Sequence, residues 1–366
     1  MRMKKLMILA VAAIALVACS KTFDTGKSND AAIGFGTWTE TLTKAGPASI
    51  GNAFAVGDEF NVWGGKLVSS TFTPVFAGVT VEKTAASPET WNYSPKQYWD
   101  LSATSYTFYG ISPAEDGYTV NAETGAVTAS PTITFAGNTN DVLVAQKAVV
   151  AKDFDGDTVD DNFNNFDKVH LIFNHVAALV DVKVKISAGL VAAGAHVQVS
   201  SIALTNISKE GTFTVAGGYT TAPVASWTPS TAAAGTTGSF GPTNGCTDAS
   251  AGLNTDLNDT GTILINQLIV IPQEFRTTGD YIQKLDIDYN ITQAGGTANN
   301  FTPDPFALTT FDNTPNTSNT GDTNVTGWAS GYHYTYVVTI DAHAIDFTAE
   351  VSNNWTLETA YNYLCN

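Results

Sequence analysis

Leu285-Asp286-Ile287-Asp288-Tyr289-Asn290-Ile291 places an apolar side chain at every odd position and a polar one at every even position. Successive side chains of a β-strand point to opposite faces, so this alternation predicts a strand with one dry and one wet face. Ile345-Asp346-Phe347-Thr348-Ala349-Glu350-Val351 and Val182-Lys183-Val184-Lys185-Ile186 repeat the pattern. One-sided strands separated by Gly, Pro, Asn and Ser clusters are the units of antiparallel β-sandwiches. Tyr332-His333-Tyr334-Thr335-Tyr336-Val337-Val338-Thr339-Ile340 is long and heavily apolar, and is expected to lie centrally in a sheet. No long 3.6-residue periodicity competes beyond the N-terminus, so the fold class is all-β.

The N-terminus has a different character. Arg2, Lys4 and Lys5 form a basic head, residues 6–18 are an uninterrupted apolar run, and Leu16-Val17-Ala18 leads into Cys19. The run is too short for a permanent membrane span and reads as a signal that is removed. Small residues before a cysteine resemble the lipobox of bacterial lipoproteins. That resemblance implies cleavage after residue 18, acylation of Cys19, and a folded part tethered by lipid to a Gram-negative envelope membrane. An ordinary signal peptide with an incidental cysteine is the alternative reading.

The chain of 366 residues carries 34 Asp and Glu against 17 Lys and Arg, a formal charge of −17. Loss of Arg2, Lys4 and Lys5 with the signal takes this to −20. So acidic a surface repels phosphate backbones, which argues against nucleic acid as a partner. It also leaves the lipid chain as the expected membrane contact. Thr-, Gly-, Asn- and Ala-rich stretches at about 217–260 and 293–326 are expected as long loops. An acidic, Asn-rich segment at 152–167 separates two strand-rich halves. The expected organisation is therefore a signal (1–18), a tether (19–30), an N-terminal sandwich (31–165) and a C-terminal sandwich (166–366).

The strands also follow an order that resembles a family. Gly57-Asp58-Glu59-Phe60-Asn61-Val62-Trp63 precedes Trp91-Asn92-Tyr93-Ser94-Pro95-Lys96-Gln97-Tyr98-Trp99 and Tyr106-Thr107-Phe108-Tyr109-Gly110-Ile111-Ser112-Pro113. Then come Val169-His170-Leu171-Ile172-Phe173-Asn174-His175, Ile202-Ala203-Leu204-Thr205-Asn206-Ile207 and Leu268-Ile269-Val270-Ile271-Pro272-Gln273. Phe347-Thr348-Ala349-Glu350-Val351 closes the set before Trp355. With the lipobox, this resembles the fimbrillin family, the lipoprotein pilins of the type V pili of Gram-negative anaerobes. The resemblance implies two tandem transthyretin-like antiparallel β-sandwiches and no catalysis. It also implies a protease that removes an N-terminal segment including the first strand. A strand from a neighbouring pilin subunit then fills the groove, and subunits chain into a fimbrium at the cell surface.

Under that resemblance residues 31–43, with Ile33, Phe35 and Leu42, supply the first strand. Lys44-Ala45-Gly46 stands at the candidate maturation site, with Lys44 and Ala45 flanking the cut. Lysine replaces the family's usual arginine, which leaves the identity of the protease open. After Trp355 eleven residues remain, which extend roughly 35 Å. Leu357, Ala360, Tyr361, Tyr363 and Leu364 do not alternate cleanly there, so stalk, tip and accessory roles all stay open.

Among sites, Asp153, Asp155, Asp157 and Asp161 match positions one, three, five and nine of a calcium loop. Thr158 stands where that loop carries glycine and Asn164 where it carries a carboxylate, so a solvated acidic linker competes with calcium, the one cofactor considered. Cys246 and Cys365 form either a disulfide or two free thiols. His170, His175, His196, His333 and His343 form no H-E-x-x-H and no close ligand pair, which reads against zinc. No G-x-S-x-G elbow occurs, and no carboxylate pair is marked for glycoside hydrolysis. Trp91, Tyr93, Tyr98 and Trp99 are expected to fill the first core, with sugar stacking as the alternative. The sequence thus predicts a structural or adhesive fimbrial subunit. A tethered carbohydrate-binding lipoprotein of a glycan-uptake system is the rival, and a surface or bacterial receptor is unspecified.

Overall fold

The structure, a computed structural model, describes residues 32–39, 54–100, 102–135, 141–151, 168–230, 237–241, 252–313, 325–342 and 345–352. The first strands are β1 (Phe35–Thr39), β2 (Glu59–Val68), β3 (Thr71–Ala86), β4 (Glu89–Asn92) and β5 (Ser105–Ser112). Short ones follow: β6 (Thr119–Val120), β7 (Val127–Ala129), β8 (Ile133–Thr134), β9 (Leu143–Ala145) and β10 (Ala148–Ala151). Next come β11 (Val169–His175), β12 (Ala178–Ile186), the short helix α1 (Ala188–Ala192), β13 (His196–Ser208), β14 (Glu210–Val215), β15 (Ala225–Pro229) and β16 (Thr237–Phe240). The rest are β17 (Thr262–Val270), β18 (Gln273–Glu274), β19 (Lys284–Thr292), β20 (Ala298–Phe301) and β21 (Phe306–Ala307). β22 (Asp312–Asn313), β23 (Gly327–Trp328), β24 (His333–Ile340) and β25 (Ile345–Ser352) complete the order. Among the described residues no helix is long and apolar enough to cross a membrane.

The alternating segments do what their pattern dictates. β19 alternates buried and half-buried positions along its whole length, and β12 does so at its Lys183 and Lys185 end. Sheet β17-β12-β24-β25-β22 packs on sheet β16-β13-β19-β20, and their inner faces share one core. Val180, Val182, Val184, Tyr336 and Val338 come from one side, and Val199, Leu204, Leu285, Ile287 and Tyr289 from the other. β24 lies between β12 and β25, as its apolar run requires.

The first sheet has eight strands, ordered β1-β11-β9-β5-β2-β3-β4 with β10 also on β5. Its inner core draws Phe35, Phe60, Phe76, Trp91, Phe108 and Phe173 from six strands of that same sheet. A single sheet encloses its own core only by curling, and the curl brings the edges β1 and β4 towards one another. The outer face carries Trp63, Ile111 and Val144, which pack on a second small sheet, β15-β14-β7-β6.

Sheet pairing does not follow the expected 165/166 division. β11 lies in the first sheet, and the β14–β15 hairpin pairs with β7 and β8 from the first half. The segment 152–167 itself lies outside the described residues. The stretches expected as long loops also contain strands: β15 and β16 in the first, β20, β21 and β22 in the second. Their composition hid them because edge strands need no dry face: β20, Ala298-Asn299-Asn300-Phe301, is exposed throughout.

Candidate functional site

The strand expected within 31–43 forms at Phe35–Thr39 and lies at the edge of the first sheet. It runs parallel to β11, with Phe35 opposite Val169, Gly36 opposite His170, and so on to Thr39 opposite Phe173. Ile33-Gly34-Phe35-Gly36 alternates between large apolar side chains and none. Ile33 and Phe35 point into the core, each about 1% exposed. The glycines face the other way, where a Cβ on Gly36 would come within 3.2 Å of the His170 ring. That closeness is a reason for glycine at this position.

Phe35 is the centre of the arrangement. Its ring lies 5.5 Å from Phe76, 5.6 Å from Tyr93, 5.8 Å from Phe108 and 6.1 Å from Phe60, all edge to face. Such geometry adds to the stabilisation from burial alone. The backbone is held on both sides. Val169 N–H donates to Gly34 O at 2.8 Å, and Ile33 N–H donates to Gln97 O at 2.8 Å. The Tyr93 hydroxyl donates to Ile33 O at 2.7 Å, and Ala32 bridges Tyr98. Burial raises the Tyr93 phenol above its ordinary value. The short strand thus plugs a gap between β11 and the 93–98 segment that follows β4.

One group beside this groove gave no sequence signal. Lys83, 1% exposed, donates to Phe54 O at 2.8 Å and lies 3.5 Å from the Glu89 carboxylate and 5.7 Å from the Trp91 ring centre. It holds the Phe54 carbonyl ahead of β2.

Other expected sites fall variously. Cys19, Lys44, Ala45, Asp153, Asp155, Asp157, Asp161, Cys246, Cys365 and His343 lie outside the described residues. Trp91, Tyr93 and Trp99 are buried in the first core, while Tyr98 is 55% exposed, so the four do not make one sugar-stacking surface. Three histidines pair with carboxylates far off in sequence. His175 Nδ1 is 2.5 Å from Asp141 Oδ2, His196 Nδ1 is 2.6 Å from Asp256 Oδ2, and His333 Nε2 is 2.8 Å from Asp181 Oδ2. The bond from His196 holds the Asp256 carboxyl below its ordinary value. Among the described residues no three His, Cys, Asp or Glu side chains converge as a metal-ligand set.

Comparison with known proteins gives three findings. The sequence model of a family described as fimbrillin-like matches residues 43–355. No curated protein matches the chain at a significant level. Among solved structures, a fimbrial protein from Bacteroides vulgatus is 20% identical over 89% of this chain and all of its own, with a TM-score of 0.52. The tip fimbrial protein Mfa3 from Porphyromonas gingivalis, truncated at its C-terminus, is 11% identical over 82% of this chain and 94% of its own, with a TM-score of 0.30. At 20% identity the likeness to the Bacteroides vulgatus protein is one of fold.

Proposed function

This chain belongs to the fimbrillin-like family, and we propose that it is a structural or adhesive subunit of a cell-surface fimbrium, assembled by strand exchange after proteolytic maturation. In this reading Cys19 carries the lipid that tethers the precursor to the outer membrane. A protease cuts between Lys44 and Ala45, releasing the tether together with the strand at 35–39. An extended strand from the next subunit then takes the vacated position. Stalk, tip and accessory positions are all compatible with this scheme, and no catalytic step belongs to it.

The observation that carries the reading is the fit of Ile33 and Phe35 in a gap at the sheet edge. Without that strand the Val169 N–H loses its acceptor, the Tyr93 hydroxyl is left with the Gln97 backbone, and Phe60, Phe76 and Phe108 each lose one edge-to-face neighbour. An unpaired edge above an apolar trough is a template for strand addition. Burying one large apolar side chain stabilises by about 1.5–3 kcal/mol, so a two-residue anchor is strong enough to seat a strand and weak enough to be replaced.

The test is to treat residues 20–366 with a lysine-specific protease and run the product on gels without heating. Cutting at Lys44 is expected to give high-mass ladders that collapse on boiling. Cutting at Lys44, loss of the 20–44 fragment and a product that stays monomeric when concentrated would refute strand exchange.

A further inference from the structure

A cavity of about 620 Å³ opens where β15 meets β18 and β23, away from the β1 groove. Its floor holds two buried carboxamides, Gln273 and Gln283, 6% and 3% exposed. Gln273 Oε1 accepts from the Ser208 backbone N–H at 3.3 Å and from Gln283 Nε2 at 3.4 Å. Gln273 Nε2 donates to Ile271 O at 3.0 Å, and Gln283 Oε1 accepts the Arg276 backbone N–H at 2.8 Å. A carboxamide nitrogen has two N–H groups, so each glutamine keeps a donor beyond the bond named here.

The rest of the lining continues this bias. Ser330, 8% exposed, accepts the Ala225 N–H at 3.1 Å, which leaves its O–H to donate. Arg276 stands exposed at the rim with five N–H donors and, among the described residues, makes no ion pair. The sequence has two arginines, and the other, Arg2, belongs to the N-terminal basic head. Glu274 is the single carboxylate among the lining residues. One wall is Trp227, whose Nε1–H donates to Val176 O at 2.6 Å and whose ring lies 5.0 Å from Phe213. A ring pinned in this way is a fixed platform.

We propose that this cavity is a binding site for a saccharide carrying a carboxylate, such as a uronic acid or a sialic-acid-like sugar. A planar guanidinium pairs with a carboxylate through two parallel N–H bonds, and an exposed arginine that makes no ion pair among the described residues of an acidic chain selects for an anion. Sugar hydroxyl oxygens accept from the glutamine and serine donors. The apolar face of a pyranose ring packs on an indole. A simple carboxylate, such as a peptide C-terminus, would satisfy Arg276 but would leave the Trp227 wall and the floor donors unused. The site does not depend on strand exchange, so the uncut monomer is the species to test.

The experiment titrates residues 20–366, uncut, with methyl β-glucuronide and N-acetylneuraminic acid, with methyl β-glucoside and propionate as the neutral and sugar-free matches, by calorimetry and tryptophan fluorescence. At least one acidic sugar is expected to bind more tightly than both matches, and Arg276→Gln is expected to weaken it by about tenfold or more. Arg276→Lys should restore only part of that loss, because an ammonium lacks the fork. Arg276 is exposed, so an unchanged melting temperature separates lost binding from lost fold. No acidic-sugar binding up to roughly 10 mM, equal binding of methyl β-glucoside or propionate, or an Arg276→Gln variant that binds like the parent would each overturn the proposal.

Discussion

Replacing Phe35 with alanine removes the ring that four others meet edge-on at 5.5–6.1 Å. Truncating a fully buried phenylalanine costs about 3–5 kcal/mol when the surroundings cannot collapse. Here the loss should not spread evenly. β1 is a five-residue edge strand, bonded in its ladder to β11 alone, whereas Phe108 of the same core sits on β5, between β9 and β2. If β1 leaves as a unit, Phe35→Ala weakens mainly the equilibrium that docks it. The reporter is the Val169 amide, which donates to Gly34 O at 2.8 Å and is released when β1 departs. Hydrogen exchange read by mass spectrometry over Val169–His175 should accelerate by roughly a hundredfold to a few thousandfold, saturating once the strand is mostly open. Exchange over Ser105–Ser112 should change far less, and Phe108→Ala should accelerate both segments. Equal acceleration of both segments by Phe35→Ala would refute the reasoning, because β1 would then be an integral part of the sheet.

Lys83→Met keeps the aliphatic stem but strips the donor from Phe54 O and the cation from beside Glu89; urea denaturation should register a loss of about 1–3 kcal/mol. Asp100, hydrogen-bonded by Lys66 and then by Ser102, has its carboxyl lowered from 3.8 to about 2. A depressed carboxyl stabilises the fold above its unfolded value and ceases to do so as pH falls through its folded value. Asp100→Asn should therefore cost at neutral pH, by about 1 kcal/mol at most for so accessible a pair, and the gap from the parent should close between pH 3.8 and about 2 in acid unfolding curves. Gly125→Ala forces a side chain onto a backbone at φ +74°, with its Cβ 2.2 Å from the Tyr109 ring. A loss of about 2–4 kcal/mol is expected, measured by thermal unfolding with Tyr109 fluorescence as a local reporter.

Much of the fold is legible because burial on one face imposes period two. β19 alternates in sequence and in burial, as does the Lys183 and Lys185 end of β12, and β24 buries Tyr334, Tyr336, Val338 and Ile340 on one face. What the sequence hides are pairings between distant segments. The parallel partnership of β1 with β11 joins residues 35–39 to 169–173, and no local pattern marks it. The His–Asp pairs span 34, 60 and 152 positions, so histidines that look isolated in sequence are partnered in space. Gln273 and Gln283 gave no signal either, since a buried amide is recognisable only from the partners that satisfy it. Arg276 could have been singled out from composition alone, as the one arginine besides Arg2.

The β1 groove also constrains what could replace its occupant. Because the sheet curls, the vacancy is bounded by β11 on one side and by the 93–98 segment on the other, rather than open to solvent along its whole edge. An incoming chain must therefore be extended, must accept the Val169 N–H, and must place two apolar side chains two residues apart to occupy the positions of Ile33 and Phe35. It must also present little at the position of Gly36, where His170 leaves a Cβ only 3.2 Å. Adding a peptide with the Ile-Gly-Phe-Gly pattern during lysine-specific cleavage should cap the groove and shorten the ladders, and exchanging its phenylalanine for aspartate should abolish that capping. A peptide whose glycines are replaced by valines tests the outer face in isolation. If it capped as well as the parent, His170 would not be what limits the occupant, and specificity would rest on the two inward side chains alone.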